Sequence, residues 1–202
     1  AGLIFALHNN QKVIASNRHC KIRTSPGYQS GTLPVVTKQL GFTIEYNADK
    51  DDDWKKTGYD DRKWDSAWEI GAPTSDFWRE LKPRPLPKLN LSYSAAKIFE
   101  SGQLKRNPKF TSSVAVIMAQ DILKPHRQPS KHFKSTENDG FYLIYDMGQE
   151  SFGYLEIELT ASKGTVVDIA HGEHLIDGRV RCHIEGRNFA DRYVCREGHQ
   201  KW

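Results

Sequence analysis

Apolar and polar positions alternate along this chain in short bursts, and each burst ends in a cluster of Asn, Gly, Pro or Ser. Runs of this kind read as β-strands bounded by turns. Leu3 to Leu7, Lys12 to Ala15, Cys20 to Arg23 and Phe42 to Tyr46 open the series, with Asn9-Asn10 a natural hairpin turn. Val114 to Ala119, Phe141 to Tyr145, Tyr154 to Leu159 and Val166 to Ala170 continue it. Within Tyr154 to Leu159, residues Leu155, Ile157 and Leu159 fall on one face while Glu156 and Glu158 fall on the other, as a half-buried antiparallel strand requires. No window sustains a long apolar stripe at helical spacing. The expected fold class is all-β, made of antiparallel sandwiches.

Two segments break the pattern. Leu81-Lys-Pro83-Arg84-Pro85-Leu-Pro87 cannot sit inside a sheet, because each proline removes a ladder donor and fixes φ. It reads as an extended connector strapped across a sandwich. Lys124 to Asp139 mixes Pro, His, Ser and charges without periodicity, and a domain boundary is expected there. The chain then divides into a first sandwich over 1–135, carrying the connector 81–89, and the start of a second over 136–202. A length of 202 residues allows two small cores.

Charge narrows the partners. The net charge is +4, from 29 Lys and Arg against 25 Asp and Glu, and it is spread along the chain. Without a clustered basic stripe, no nucleic-acid partner is expected. Nor does any uncharged apolar run approach the ~20 residues needed to cross a bilayer. Cys20, Cys182 and Cys195 are odd in number and widely spaced, which suggests neither a disulfide framework nor a paired zinc site. A bridge between Cys182 and Cys195 across neighbouring strands competes with two buried free thiols, which behave as small apolar residues. The first apolar run is already strand-like and lacks a basic leader.

Chemistry is most concentrated between Trp54 and Trp68, where three tryptophans fall within fifteen residues, interleaved with Asp60, Asp61 and Asp65. Aromatic faces can stack on sugar rings while carboxylates accept hydroxyl protons. The competing reading makes Trp64 and Trp68 core plugs and the aspartates turn-closers that bond their own backbone, with Trp54 more open. Just upstream, Asn47, Asp49, Asp51 and Asp53 alternate as oxygen-bearing residues able to converge on a hard cation such as calcium. The EF-hand pattern fails, since Asp52 stands at the sharp-turn glycine position and Gly58 at the twelfth. His171, Glu173 and His174 offer zinc-type ligands, but on a strand the two histidines point to opposite faces. Glycoside hydrolysis needs two carboxylates about 5 to 9.5 Å apart. Asp146, Glu150, Glu173 and Asp191 are available, yet no spacing pairs any two of them. No nucleophile elbow, Walker loop or dinucleotide fingerprint is present.

The order Asp146-x-Gly148-Gln149, then Gly153-Tyr154, then His171-x-Glu173-x-Leu175, then Asp191-x-Tyr193 resembles the concanavalin-like domain of bacterial α-L-rhamnosidases, glycoside hydrolase family 78. Tyr46-Asn47-Ala48, Trp54, Gly58-Tyr-Asp60-Asp61 and Trp64 resemble that family's N-terminal galactose-binding-like sandwich, and Leu81-x-Pro-Arg84-Pro-x-Pro87-x-Leu89 its connector. The family usually has Asp and Arg where this chain has Asn47 and Asp49. The resemblance implies a galactose-binding-like jelly roll followed by a truncated concanavalin-like sandwich. The parent enzyme would release terminal α-L-rhamnose from glycans by inverting hydrolysis. Its acidic catalytic residues belong to a following (α/α)6 barrel to which nothing here corresponds, so no catalytic residue is carried over and the fragment is expected to be inactive alone.

In some rhamnosidases a related sandwich binds rhamnose with calcium. That region makes Asn47, Asp49 and Trp54 the candidate sugar-binding residues, and the alternating Asp49, Asp51 and Asp53 are the candidate calcium ligands. The implied partners are a rhamnose-containing glycan and the catalytic barrel, in a periplasmic or secreted setting suggested by the substrate. The chain stops at Trp202, before the family's next strand, so a second copy is expected to pair with the exposed sheet edge. A stand-alone lectin-like module and a purely architectural sandwich supporting the barrel are the rival readings.

Overall fold

A computed structural model describes residues 3–29, 32–72, 80–88, 90–94, 96–105, 113–120 and 139–202. The chain forms two compact units, one from Ala1–Ser25 and Asp52–Asn90, the other from Pro26–Asp51 and Leu91–Trp202. The boundary expected between 135 and 136 lies outside the described residues.

In the first unit, Ala6–Asn9 and Lys12–Ala15 form an antiparallel hairpin turning through Asn10 and Gln11, with Leu7 opposite Ile14. The run expected from Cys20 is a short strand, Lys21–Ile22, paired antiparallel with Asp65–Ser66. The Ala67 amide continues that ladder by donating to the Cys20 carbonyl at 2.8 Å. This pairing brings the N-terminal segment against the tryptophan-rich one. The described residues of the proline-rich connector are exposed and belong to no strand, while Leu89 lies outside the described residues.

The second unit is organised by a three-stranded sheet. Val166–Ala170 pairs antiparallel with Ala190–Val194, which pairs in parallel with Glu45–Asn47 on its other edge. Glu158–Ala161 and Gly198–Lys201 form a second antiparallel pair, extended by reciprocal bonds between Ile157 and Trp202. Tyr46, Ala48, Tyr193 and Cys195 are the buried centre, and Ile157, Leu159, Val167 and Trp202 pack on it. The Tyr46 ring lies 5.8 Å from Tyr193 and 6.0 Å from Trp202, both stacked, and 4.6 Å from Tyr28. Its hydroxyl donates to Asp51 at 2.5 Å. In a long ribbon of Lys97–Lys105 and Asp139–Asp146, Tyr142 lies against Gly102 and donates to Glu100 at 2.6 Å.

Two expectations change, and one open choice is decided. Val114 to Ala119, read as a strand, is an α-helix over Val114–Gln120. Its β-branched residues suggested a strand, but Ala, Met and Gln favour a helix, and the helical repeat puts Ala115 and Met118 on one face. That face packs on Cys182 and Ala190, and Arg179 donates to the Ala119 carbonyl at 2.7 Å. Tyr154 to Leu159 is strand only from Glu158, so Ile157 and Leu159 reach the core as the alternation required while Leu155 stays exposed. Cys182 and Cys195 are both buried but free, and they sit in different apolar clusters, so no bridge joins them. The all-β class stands, and among the described residues the ladders are antiparallel apart from the Glu45–Asn47 pairing.

Candidate functional site

The expected aromatic region builds a platform in the first unit. Arg23 lies with its guanidinium over the Trp64 ring, 4.5 Å from the centroid, and 5.6 Å from that of Tyr59. Both terminal nitrogens donate to Asp52 at 2.5 Å, one to each carboxylate oxygen, and one also donates to the Tyr59 hydroxyl at 3.2 Å. The Tyr59 hydroxyl in turn donates to Asp52 at 2.5 Å. Each member thus has two restraints, and the fork geometry of Arg makes the arrangement planar and directional. The bonds from Arg23 and then Tyr59 hold the Asp52 carboxyl well below its ordinary range, at about 2. The same carboxylate, accepting from Tyr59, pushes the phenol up.

Tyr59 meets Trp64 edge-on at 5.7 Å, and Trp54 lies tilted against Trp64 at 6.0 Å. These three rings line an open hollow of about 460 Å³. Its rim is polar, with the cationic Lys21 and Lys56, the carboxylate Asp61, and His19. Lys21 donates to the Trp64 carbonyl at 3.4 Å, and Lys56 pairs with Asp53 at 2.7 Å. The Lys55 ammonium stands 5.7 Å from the Trp54 ring centroid. A wide, open, aromatic-walled hollow with donors at its rim suits a ring-shaped polar ligand that presents an apolar face.

Of the residues expected to hold a sugar, only Trp54 lines this hollow, and it is 43% exposed. Asn47 and Asp49 belong to the second unit. There Asn47 caps a single helical turn over Ala48–Lys50 by accepting from the Asp49 amide, and Asp49 pairs with Lys163 at 2.8 Å. The acidic alternation is likewise distributed rather than convergent. Asp51 accepts from Tyr46, Asp52 from Arg23, and Asp53 from Lys56 at a left-handed φ of 58°. Among the described residues no three His, Cys, Asp or Glu side chains stand together as a cation site, and these carboxylates turn to separate partners.

Trp68, read as a core plug, is 91% exposed and lies just past the short strand Asp65–Ser66. Trp64 is half-buried under Arg23. Asp60 closes a turn as expected, accepting from the Arg62 amide at 3.1 Å. Residues missed by the sequence reading include Lys21, in the strand Lys21–Ile22, and Arg23 just after it, and neither carries a signal in the sequence beyond its charge.

The remaining candidates are dispersed. His171 follows the end of Val166–Ala170 and meets Phe189 edge-on at 6.0 Å, while His174 contacts Arg181 at 3.3 Å. Asp146 accepts from the Gly148 amide at 2.7 Å, and Asp191 from the Ile44 amide at 2.6 Å. Glu150 and Glu173 are exposed.

The class these features define is an all-β protein carrying an aromatic hollow rimmed by lysines. Residues 136–202 match the family model of the bacterial alpha-L-rhamnosidase concanavalin-like domain. Over that stretch the chain is related to rhamnosidases, and its strands fit a β-sandwich. No curated protein and no solved structure matches the chain.

Proposed function

We propose that the chain is a non-catalytic, N-terminal part of an α-L-rhamnosidase-type glycosidase and that its first unit holds a saccharide in the Trp54, Tyr59 and Trp64 hollow. The parent would hydrolyse terminal α-L-rhamnose from glycans or glycosides, outside the cytoplasm, with the chemistry performed by a separate barrel. The rhamnosidase relationship of residues 136–202 supports the enzyme class. The single observation that carries the binding role is the aromatic hollow, whose floor is held by the Arg23, Asp52 and Tyr59 network. The carboxylates considered for hydrolysis instead hold turns and amides or stand in solvent, which favours a non-catalytic role.

L-rhamnose titration followed by tryptophan fluorescence tests the reading, with Trp54→Ala as the control and a chelator arm. Saturable quenching that disappears in Trp54→Ala supports it, and the curve is expected to be unchanged by chelator because Asp49 and Asp53 already pair with lysines. A flat response to every sugar would sink it. The architectural reading would then take over, favoured by the exposed Phe141, Tyr145, Phe152, Tyr154 and Leu155 of the second unit. Large apolar side chains left in water commonly mark a surface that another domain covers.

A further inference from the structure

We propose that the hollow takes a carboxylate-bearing sugar, a hexuronate unit, in preference to a neutral one. This rests on the hollow being a saccharide site. Neutral sugars present hydroxyls that both donate and accept, so a site built for them needs acceptors as well as donors. Carboxylate acceptors are scarce among the side chains that line the hollow. Lys21 and Lys56 face a single lining carboxylate, Asp61, and Lys55 adds a third ammonium over Trp54.

The other nearby guanidinium is not the anion receptor. Arg23 is committed to Asp52 and Tyr59 and stiffens the floor. Lys21 is differently placed: one of its three donors makes a long 3.4 Å contact to the Trp64 carbonyl, which anchors the ammonium beside the central ring of the platform. Lys56 is paired with Asp53, but that pair is exposed on both sides, with side-chain exposures of 73% and 45%. An exposed pair contributes little, so exchanging Asp53 for a ligand carboxylate costs little. The sugar ring would stack on the exposed part of Trp54 or Trp64 while its carboxylate meets Lys21 and Lys56 at the edge. Aromatic stacking supplies sequence-blind affinity for the ring, and the ammoniums supply the choice among rings.

The test uses the full chain and the matched pair D-galactose and D-galacturonate, which share ring stereochemistry and differ at the exocyclic carbon, with L-rhamnose alongside. Tryptophan quenching should saturate at a concentration about fivefold lower for galacturonate than for galactose. That advantage should shrink as salt rises from about 0.05 to about 0.5 M, because the contacts are exposed. In Lys21→Gln/Lys56→Gln the ratio of the galactose to the galacturonate midpoint should fall to about one, the melting temperature of the variant certifying that it is folded. Galactose or rhamnose binding as tightly as galacturonate would overturn the uronate preference and leave the saccharide site standing. Failure of all three sugars to bind would overturn both.

Discussion

Gly27→Ala probes the second unit's core at its tightest point. A Cβ added to Gly27 would stand 2.5 Å from Cε2 of Tyr46, well inside the 3.4 Å at which ordinary contact begins. Something must move, and the Tyr46 ring has little freedom to do so. It is 8% exposed, it is stacked on Tyr193 and Trp202 and tilted on Tyr28, and its hydroxyl is tied to Asp51. Gly27 itself is bonded through its carbonyl to the Asn47 amide at 2.8 Å, which hinders retreat of the backbone. Overpacking of this kind costs about 1–3 kcal/mol. The φ of Gly27 lies outside the left-handed range, so alanine also gains about 0.4–1 kcal/mol by restricting the unfolded chain.

The net expectation is a loss of about 1–2 kcal/mol, read as a fall in melting temperature of roughly 2–8 °C for a chain of this size. Circular dichroism gives the melt, and fluorescence from Trp202, which sits in the stack, reports the same transition. A double-mutant cycle with Tyr46→Leu identifies the cause, because removing the ring edge removes the obstacle. The penalty of Gly27→Ala should then drop to near zero. A neutral or stabilising Gly27→Ala in the wild-type background would refute the argument, and so would an undiminished penalty in Tyr46→Leu.

Further expectations follow the same geometry. Asp52 has its carboxyl held down to about 2, so its contribution to stability is present above the unfolded value and is lost as pH falls toward 2; the urea midpoint should drop between about pH 5 and about pH 2.5, and Asp52→Asn should flatten that part of the profile. Tyr46→Phe keeps the stack but removes the bond to Asp51, and chemical denaturation should show a loss of about 0.5–1.5 kcal/mol. Burial pushes the Cys182 and Cys195 thiols up, whereas Cys20 is partly exposed at the hollow; a disulfide thiol reagent should modify Cys20 in the native protein and the other two only after denaturation. Ala115→Leu would press into the contact with Cys182 and Ala190 and should lower stability by about 1–3 kcal/mol in the same melt.

What the chain disclosed in advance depended on how local the physics was. Val166 to Ala170 was legible in full, because a β-branched run flanked by turn residues and broken only by Asp168 needs little beyond its own neighbours to become a strand. Ile157 and Leu159 were assigned to the core by alternation alone, and they pack there. The helix at Val114–Gln120 was not legible: Val and Ile carry a strand signal, and the surfaces of Cys182 and Ala190 that reward a helical face lie far along the chain. The parallel pairing of Glu45–Asn47 with Ala190–Val194 is still more remote, since nothing in either segment encodes the other. In the candidate site, the density of Trp and Asp pointed to the right stretch. The member that organises it, Arg23, lies 29 residues from its partner Asp52 and carried no mark beyond its charge.

The two units use the same residue types to opposite ends, and this contrast is the strongest structural argument for a binding surface in the first. In the second unit Tyr46, Tyr193 and Trp202 face one another and are closed over by Ile157, Leu159 and Val167, so their aromatic surface is consumed in stability. In the first unit Tyr59 and Trp64 are braced from one side by Arg23 and Asp52, while Trp54 remains 43% exposed beside them. Bracing rings without covering them yields little core stability for the polar network it requires. It does hold the rings in place before any ligand arrives, and a platform that is already ordered loses less conformational freedom on binding. Removing the brace through Arg23→Ala should therefore weaken saccharide binding although Arg23 does not line the hollow, an effect that a passive surface cluster would not show.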